Sequence, residues 1–383
     1  MKLVTWPRLA VFLYALLIVG VVPLPSHAVE TEASNAILID DVTGTVLFEK
    51  DADTAVPPSS MSKIMTVYMV FQRLAEGTLE LDDTFVVSEK AWRKGGSKMF
   101  VNVDDRVAVE DLLRGIIVQS GNDACIVVAE GLAGGEDAFA AEMTELGDTI
   151  GLENSVFKNA SGWPQEGHVM SARDLARLAQ RTIHDFPQYY HYYAETEFTY
   201  AGITQPNRNP LLGRTPGVDG LKTGHTSAGG YGLTVSAERD GRRLILVLNG
   251  LPSTRARARE SERLLEFGFR EFRNYVLFQK DEPVIEADVW LGDSATVPLV
   301  VEDGLTITLP RKSRRKMAVT VKYDSPIPAP LVKGARIATL IVEAPNTPTL
   351  EVPLVAGIDV GKLGPFRRIG AAISYIIFGA GVE

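Results

Sequence analysis

Apolar and polar positions follow two different periods along this chain. In AILIDDVTGTVLFEK two apolar runs flank Thr43-Gly44, the pattern of a β-hairpin. Pro57-Pro58 then breaks the chain, and SSMSKIMTVYMVFQRLAEG places Met61, Ile64, Met65, Tyr68 and Phe71 on one helical face with Gly77 as a stop. That segment predicts a helix opened by a serine at its amino end. Helical periodicity recurs at 109–118, 123–133, 138–150 and 171–182, so the middle of this region is mainly helical. Strand signals return at 218–223, and YGLTVSAER and RRLILVLNG flank Asp240-Gly241, the strongest hairpin signature of the chain. Residues 261–272 read as a closing helix.

Strands at both ends with helices between them predict an α+β domain over 29–275. From 276 the pattern changes. LTITLP, MAVTVKY, ARIATLIVEA and TLEVPLVA alternate with Pro and Gly clusters, which predicts a small all-β domain over 276–358. At the start, Lys2 and Arg8 precede an apolar run that ends in Pro23, Pro25 and Ser26-His27-Ala28, the layout of a secretory signal peptide over 1–28. A retained anchor is the alternative, although the run is short for a hydrocarbon core about 30 Å thick. Over 359–383, Ile369, Ile373, Ile376, Ile377 and Ala380 recur at helical spacing behind Lys362, Arg367 and Arg368. This suits an amphipathic helix lying on an anionic membrane surface. A terminal helix docked on its own protein is the other reading.

Composition narrows the class. With 383 residues, 45% hydrophobic and 23% charged, the chain has material for two globular domains. A net charge of −9 would repel a phosphate backbone, which argues against nucleic acid as a partner. The single cysteine, Cys125, excludes an intramolecular disulfide or a Cys-based zinc cluster and reads as a small buried hydrophobe. His168, His184 and His191 lack ligand spacing, so neither a metal nor an organic cofactor is expected. The run QYYHYYAETEFTY reads as helix packing followed by a strand, with lining of a substrate groove as the alternative.

Three short motifs carry candidate chemistry. Ser60-Met61-Ser62-Lys63 opens the first helix, where residues three apart share a face and an amine can approach a hydroxyl. On spacing alone an N-capping serine beside a solvated lysine is the better explanation, and Ser155-Val156-Phe157-Lys158 is a second match. Ser120-Gly121-Asn122 falls between two predicted helices, where a capped loop is the plain reading. Lys222-Thr223-Gly224 lies on a strand, and its glycine would let a substrate backbone approach closely. The order S-x-x-K, S-x-N, K-T-G is shared by penicillin-binding proteins and class A β-lactamases, each motif in its proper context.

Beyond these motifs, through SGNDA, SARDLA, NRNPLL, VDGLKTGHT and RARESERLLEFGF, the chain resembles the D-alanyl-D-alanine carboxypeptidases. These are low-molecular-mass penicillin-binding proteins of the serine peptidase S11 family. The resemblance implies a β-lactamase/transpeptidase-like domain, an antiparallel sheet with a helical cluster, followed by the β-rich domain and a carboxy-terminal anchor. It implies that Ser60 attacks the bond between the last two D-alanines of a peptidoglycan stem peptide and that Lys63, neutral through burial and the charge of Lys222, takes its proton. Ser120 would relay a proton to the leaving amine, and Asn122 would hold the substrate amide. Backbone N–H groups of Ser60 and His225 would bind the oxyanion. Thr223 and Arg257 would hold the terminal carboxylate, with Arg255, Arg259 and Arg263 as competing cations nearby. The implied partners are the stem peptide, β-lactam antibiotics and the periplasmic side of the inner membrane. A β-lactamase, or a non-catalytic envelope scaffold, is the competing reading.

Overall fold

The computed structural model of the chain describes residues 29–345 and 347–364. The first hairpin is β1 (Asn35–Asp40) with β2 (Val46–Lys50). The chain then leaves the sheet for α1 (Lys63–Ala75), α2 (Val109–Ile117), α3 (Asn122–Ala133), α4 (Glu136–Thr149) and α5 (Ala172–Asp185). It returns as β3 (Val218–Thr226), β4 (Gly230–Arg239) and β5 (Arg242–Leu251) before α6 (Thr254–Glu271). These five strands make one antiparallel sheet in the order β2-β1-β5-β4-β3. Strand β3 is therefore an edge, packed against the turn that opens α1.

Residues Leu244 to Leu248 of β5 are all fully buried, a continuous run rather than an alternating one. Helices α5 and α6 both pack on this strand, so neither face meets water. Helix α6 starts at Thr254, earlier than the expected 261, because Ser253 caps it by accepting from the Ala256 N–H at 3.0 Å. Its first turns are rich in arginine, which hides their buried positions Ala256 and Arg257 from a hydrophobic pattern. The aromatic run forms a 3-10 turn over Tyr190–Ala194 and then the strand Glu197–Tyr200.

The β-rich part begins at Phe272, where the strand Phe272–Phe278 crosses the expected boundary and pairs with Leu305–Pro310. A six-stranded sheet follows, in the order Ala318–Lys322, Arg336–Glu343, Leu350–Ala356, Thr296–Val300, Pro283–Trp290 and Ile327–Pro328. Its core includes Val297, Leu299, Leu340, Leu354 and Ala356, all fully buried. The helix expected from 359 does not begin there. Val360 bridges to Leu331 and Lys362 to Gly292, so the chain stays extended through this stretch. The rest of that segment, and the signal-peptide segment 1–28, lie outside the described residues. Among the described residues no helix is long and apolar enough to cross a membrane.

A polar joint links the two parts. The Arg242 guanidinium donates to Asp40 Oδ2 at 2.8 Å and to Asn274 Oδ1 at 3.1 Å, and Asn274 Nδ2 donates to Asp40 Oδ1 at 3.0 Å. Thr308 Oγ1 also donates to Asn274 Oδ1, at 3.0 Å, and lies 2.5 Å from Thr43 Oγ1. Asp40 is wholly buried, so this charge is held by its partners and not by solvent.

Candidate active site

Ser60 sits in a 3-10 turn, Ser59–Ser62, directly before α1, and Lys63 is the first residue of that helix. No side chain caps either element, and Lys63 is fully buried. The capping-serine reading is thereby corrected: the lysine is drawn into the protein by its acceptors. Lys63 Nζ donates to Ser60 Oγ at 2.8 Å, to Asn122 Oδ1 at 2.8 Å and to the Ser161 carbonyl at 2.5 Å. Three acceptors match the three protons of an ammonium. Loss of one proton leaves a lone pair aimed at the Ser60 hydroxyl while the other two bonds persist. Burial pushes Lys63 down to about 8, and the positive charges of Arg208 and Lys94 act the same way against the opposing pull of Asp123. Lys222, expected to supply this effect, is itself lowered by Lys63, and the repulsion between the two amines is mutual.

The second motif occupies the loop between α2 and α3. Ser120 is buried with φ of +61°, a left-handed conformation uncommon for a residue with a Cβ. Its Oγ accepts from Lys222 Nζ at 2.9 Å, and Lys222 also donates to the Thr223 carbonyl at 3.3 Å. Lys222 lies well below the ordinary lysine range, chiefly through burial and then through Lys63. Asn122 opens α3 and turns its Nδ2 to the Gly95 carbonyl at 2.9 Å, which fixes its Oδ1 toward Lys63. Ser60, Lys63, Asn122, Ser120 and Lys222 thus form two hydrogen-bonded groups built from three separate segments.

Strand β3 supplies the third side. Thr223 is buried, and His225 is exposed with its ring stacked 3.9 Å from that of Tyr231. Gly224 has a different role from the one its place on a strand suggested. A Cβ there would lie 2.9 Å from the Pro58 carbonyl and 3.1 Å from Met61 and Ser59, so its bareness admits the nucleophile's own turn. From another side, a Cβ on Gly162 would lie 1.9 Å from the Ser59 carbonyl. The turn bearing Ser60 is gripped between two glycines.

Arg257 is 7% exposed on α6, and its guanidinium stands 5.8 Å from the Tyr231 ring. Its Nε has no hydrogen-bond partner, and no ion pair involves it among the described residues. Arg259 and Arg263 both pair with Glu260, and Arg255 is exposed. Arg257 alone of the four is buried without a carboxylate.

Other residues that build the site did not stand out as motifs. Asp123 is fully buried and accepts from the backbone N–H groups of Met99 and Phe100 at 2.8 and 2.9 Å, tying the 95–102 loop to α3. Arg208 donates to Ser97 Oγ. Both lay inside the runs SGNDA and NRNPLL, but neither shows a period or spacing that sequence reasoning can use. His168 is buried, accepts at Nδ1 from the Lys158 N–H at 3.1 Å and lies 3.0 Å from Ser62 Oγ through Nε2. Burial pushes it down to about 4. The second Ser-x-x-Lys match is not such a pair, since Ser155 Oγ donates to Asp174 at 2.7 Å. Cys125 is fully buried and its thiol is pushed up to about 12.

Residues 23–252 match the family model of the D-alanyl-D-alanine carboxypeptidases, and residues 272–362 match that of the C-terminal domain of penicillin-binding protein 5. The chain belongs to the D-alanyl-D-alanine carboxypeptidase family. It is 37% identical to the D-alanyl-D-alanine carboxypeptidase DacC of Escherichia coli K12, over 90% of this chain and 88% of that one. Penicillin-binding protein 5 from Haemophilus influenzae has the same fold with a TM-score of 0.81 at 34% identity, covering 88% of this chain and 99% of that structure. Penicillin-binding protein D2 from Listeria monocytogenes, in its ampicillin-bound form, superposes with a TM-score of 0.59 at 28% identity over 63% of this chain and 99% of that one. The carboxypeptidase family therefore accounts for a mixed helix and sheet domain followed by an all-β domain.

Proposed function

We propose that this carboxypeptidase removes the terminal D-alanine from peptidoglycan pentapeptide stems through an acyl-enzyme on Ser60, and that β-lactams acylate the same residue. The observation that carries the reading is the buried Lys63 amine, 2.8 Å from Ser60 Oγ and lowered by burial to about 8, so that it gives up its proton far more readily than an ordinary lysine. Lys63 takes the Ser60 proton as the hydroxyl attacks the carbonyl between the two D-alanines. Backbone N–H groups of Ser60 and His225 bind the developing oxyanion. Ser120, bonded to Lys222, passes a proton to the leaving amine, and Asn122 orients both Lys63 and the substrate amide. Thr223 and Arg257 take the terminal carboxylate, for which a buried guanidinium without a counter-ion is suited. Water then releases the shortened stem.

The chain is exported by the signal peptide at 1–28 and works at the periplasmic side of the inner membrane. The apolar stripe over 369–380 and the basic residues before it support peripheral attachment. Mass spectrometry after benzylpenicillin treatment is expected to place one covalent adduct on Ser60, lost in Ser60→Ala. Labelling that persists in that variant would end the assignment, and rapid nitrocefin turnover would instead favour a β-lactamase. Removal of residues 361–383 is expected to give a soluble, active enzyme.

A further inference from the structure

Beside the nucleophile's turn lies a cavity of about 370 Å³ that the proposed reaction has not used. Its walls come from the 162–168 segment, from Pro57 to Ser59 and from the end of β3 at Thr226 and Ala228. Its position along β3 is informative. Lys222 and Thr223 stand at the carboxylate end of the cleft, and His225 supplies the oxyanion N–H in the proposed mechanism. Thr226 is three residues past Thr223, about 10 Å on at the rise of a strand. A stem peptide with its last carboxylate at Thr223 and its scissile carbonyl at His225 carries its third residue, the diamino acid, to the level of Thr226.

Charge identifies what fits. The walls hold no lysine or arginine and one carboxylate, Glu166, which is exposed and makes no ion pair among the described residues. His168, also in the wall, keeps Nδ1 unprotonated to accept from the Lys158 N–H and adds no positive charge. Trp163 and the three prolines Pro57, Pro58 and Pro164 supply an apolar lining for a methylene chain. The cleft thus has Lys222 and Arg257 at one end and the cavity's one carboxylate at the other, and Lys94 reaches the same wall, its ammonium 4.9 Å from the Trp163 ring.

We propose that this cavity binds the side chain of the third stem residue and that Glu166 receives its terminal ammonium, making Glu166 a specificity-determining residue. The proposal rests on the carboxypeptidase reading above. It involves no covalent step and asks of Glu166 only a charge.

The test uses the full chain and two pentapeptides, L-Ala-γ-D-Glu-L-Lys-D-Ala-D-Ala and the same peptide acetylated on the lysine amine. D-alanine release and benzylpenicillin acylation are measured for the parent, Glu166→Gln and Glu166→Lys. The parent is expected to favour the free amine in kcat/KM by about two- to fivefold, the range of a partly exposed ion pair. Glu166→Gln is expected to bring that ratio to about one, Glu166→Lys to invert it, and all three proteins to acylate with penicillin at the same rate. Equal use of the two peptides by the parent, or an unchanged ratio in Glu166→Gln, overturns the assignment while leaving the carboxypeptidase intact. An equal slowing of both peptides in Glu166→Gln also overturns it, by assigning the carboxylate to the hydrolytic water. Penicillin labelling without D-alanine release from either peptide defeats the carboxypeptidase reading, and the cavity assignment with it.

Discussion

Lys63 Nζ and Asn122 Oδ1 lie 2.8 Å apart although 59 positions separate them in sequence, and both are buried. The amide oxygen accepts a hydrogen bond from the amine in either charge state, so it holds Lys63 in place without fixing its protonation. Activity should follow the amine. With Lys63 at about 8, the reactive neutral form increases as pH rises through that value. The rate of penicillin acylation is expected to climb roughly tenfold per pH unit below 8 and to level above it. A profile flat between pH 6 and 9 would exclude Lys63 as the base.

The same shift bears on stability. Lys63 in the folded protein loses its proton near 8, whereas in the unfolded chain it does so near 10.5, so between those values the unfolded state holds more protons. Stability contributed through Lys63 is withheld below about 8, by about 3 kcal/mol, and is recovered as pH rises toward 10.5. Denaturant melts of the parent and Lys63→Met are therefore expected to change in relation to each other, with the parent gaining on the variant between pH 8 and 10. Parallel curves over that range would show that the lysine is not held neutral.

Gly224→Ala should act through the nucleophile's turn. A Cβ placed 2.9 Å from a backbone carbonyl cannot be relieved by a side-chain rotation, so β3 or the Pro58–Met61 backbone must move. A loss of about 1–3 kcal/mol in stability is expected, with acylation slowed at least tenfold. Near-normal acylation in this variant would show that the turn tolerates displacement.

Arg257→Leu should separate recognition of the chain end from chemistry. Loss of a buried charge-assisted contact is expected to cost about 30- to 100-fold in kcat/KM for a pentapeptide. A peptide ending in a carboxamide should be a poor substrate for the parent and change little in the variant. If the carboxylate peptide is cleaved as well by Arg257→Leu, the cation lies elsewhere on α6.

Arg242→Met removes one partner of the buried charge Asp40. A cost of about 3–5 kcal/mol is expected, read as a lowered denaturation midpoint, and Asp40→Asn in the same background should recover part of it. No recovery in the double variant would show that the two groups do not act together.

The fold was legible where periodicity and burial agree. Met61 to Phe71 gave α1 through apolar residues at helical spacing, although residues 63–71 are buried on every side, and Asp240-Gly241 gave the β4-β5 hairpin through its turn chemistry, since both strands are buried on both faces. The first turns of α6 were hidden, since an arginine that is buried looks in sequence like one that is solvated. The three motifs named Ser60, Lys63, Ser120, Asn122 and Lys222, yet spacing did not show that Lys63 is buried. That follows from acceptors on Asn122 and Ser161, which only the folded chain brings near. Gly224 illustrates the same limit, as its neighbour is the turn of another motif.

The interlocked side chains of Arg242, Asp40, Asn274 and Thr308 have a mechanical meaning. A hinge needs a layer that water can lubricate, and here the layer is an internal charge with every direction of slip costing a bond. Turning the strand pair that carries Asn274 and Thr308 against the larger sheet would therefore strand the Asp40 carboxylate away from water with fewer donors, so the seam is a place where displacement is penalised by an uncompensated charge.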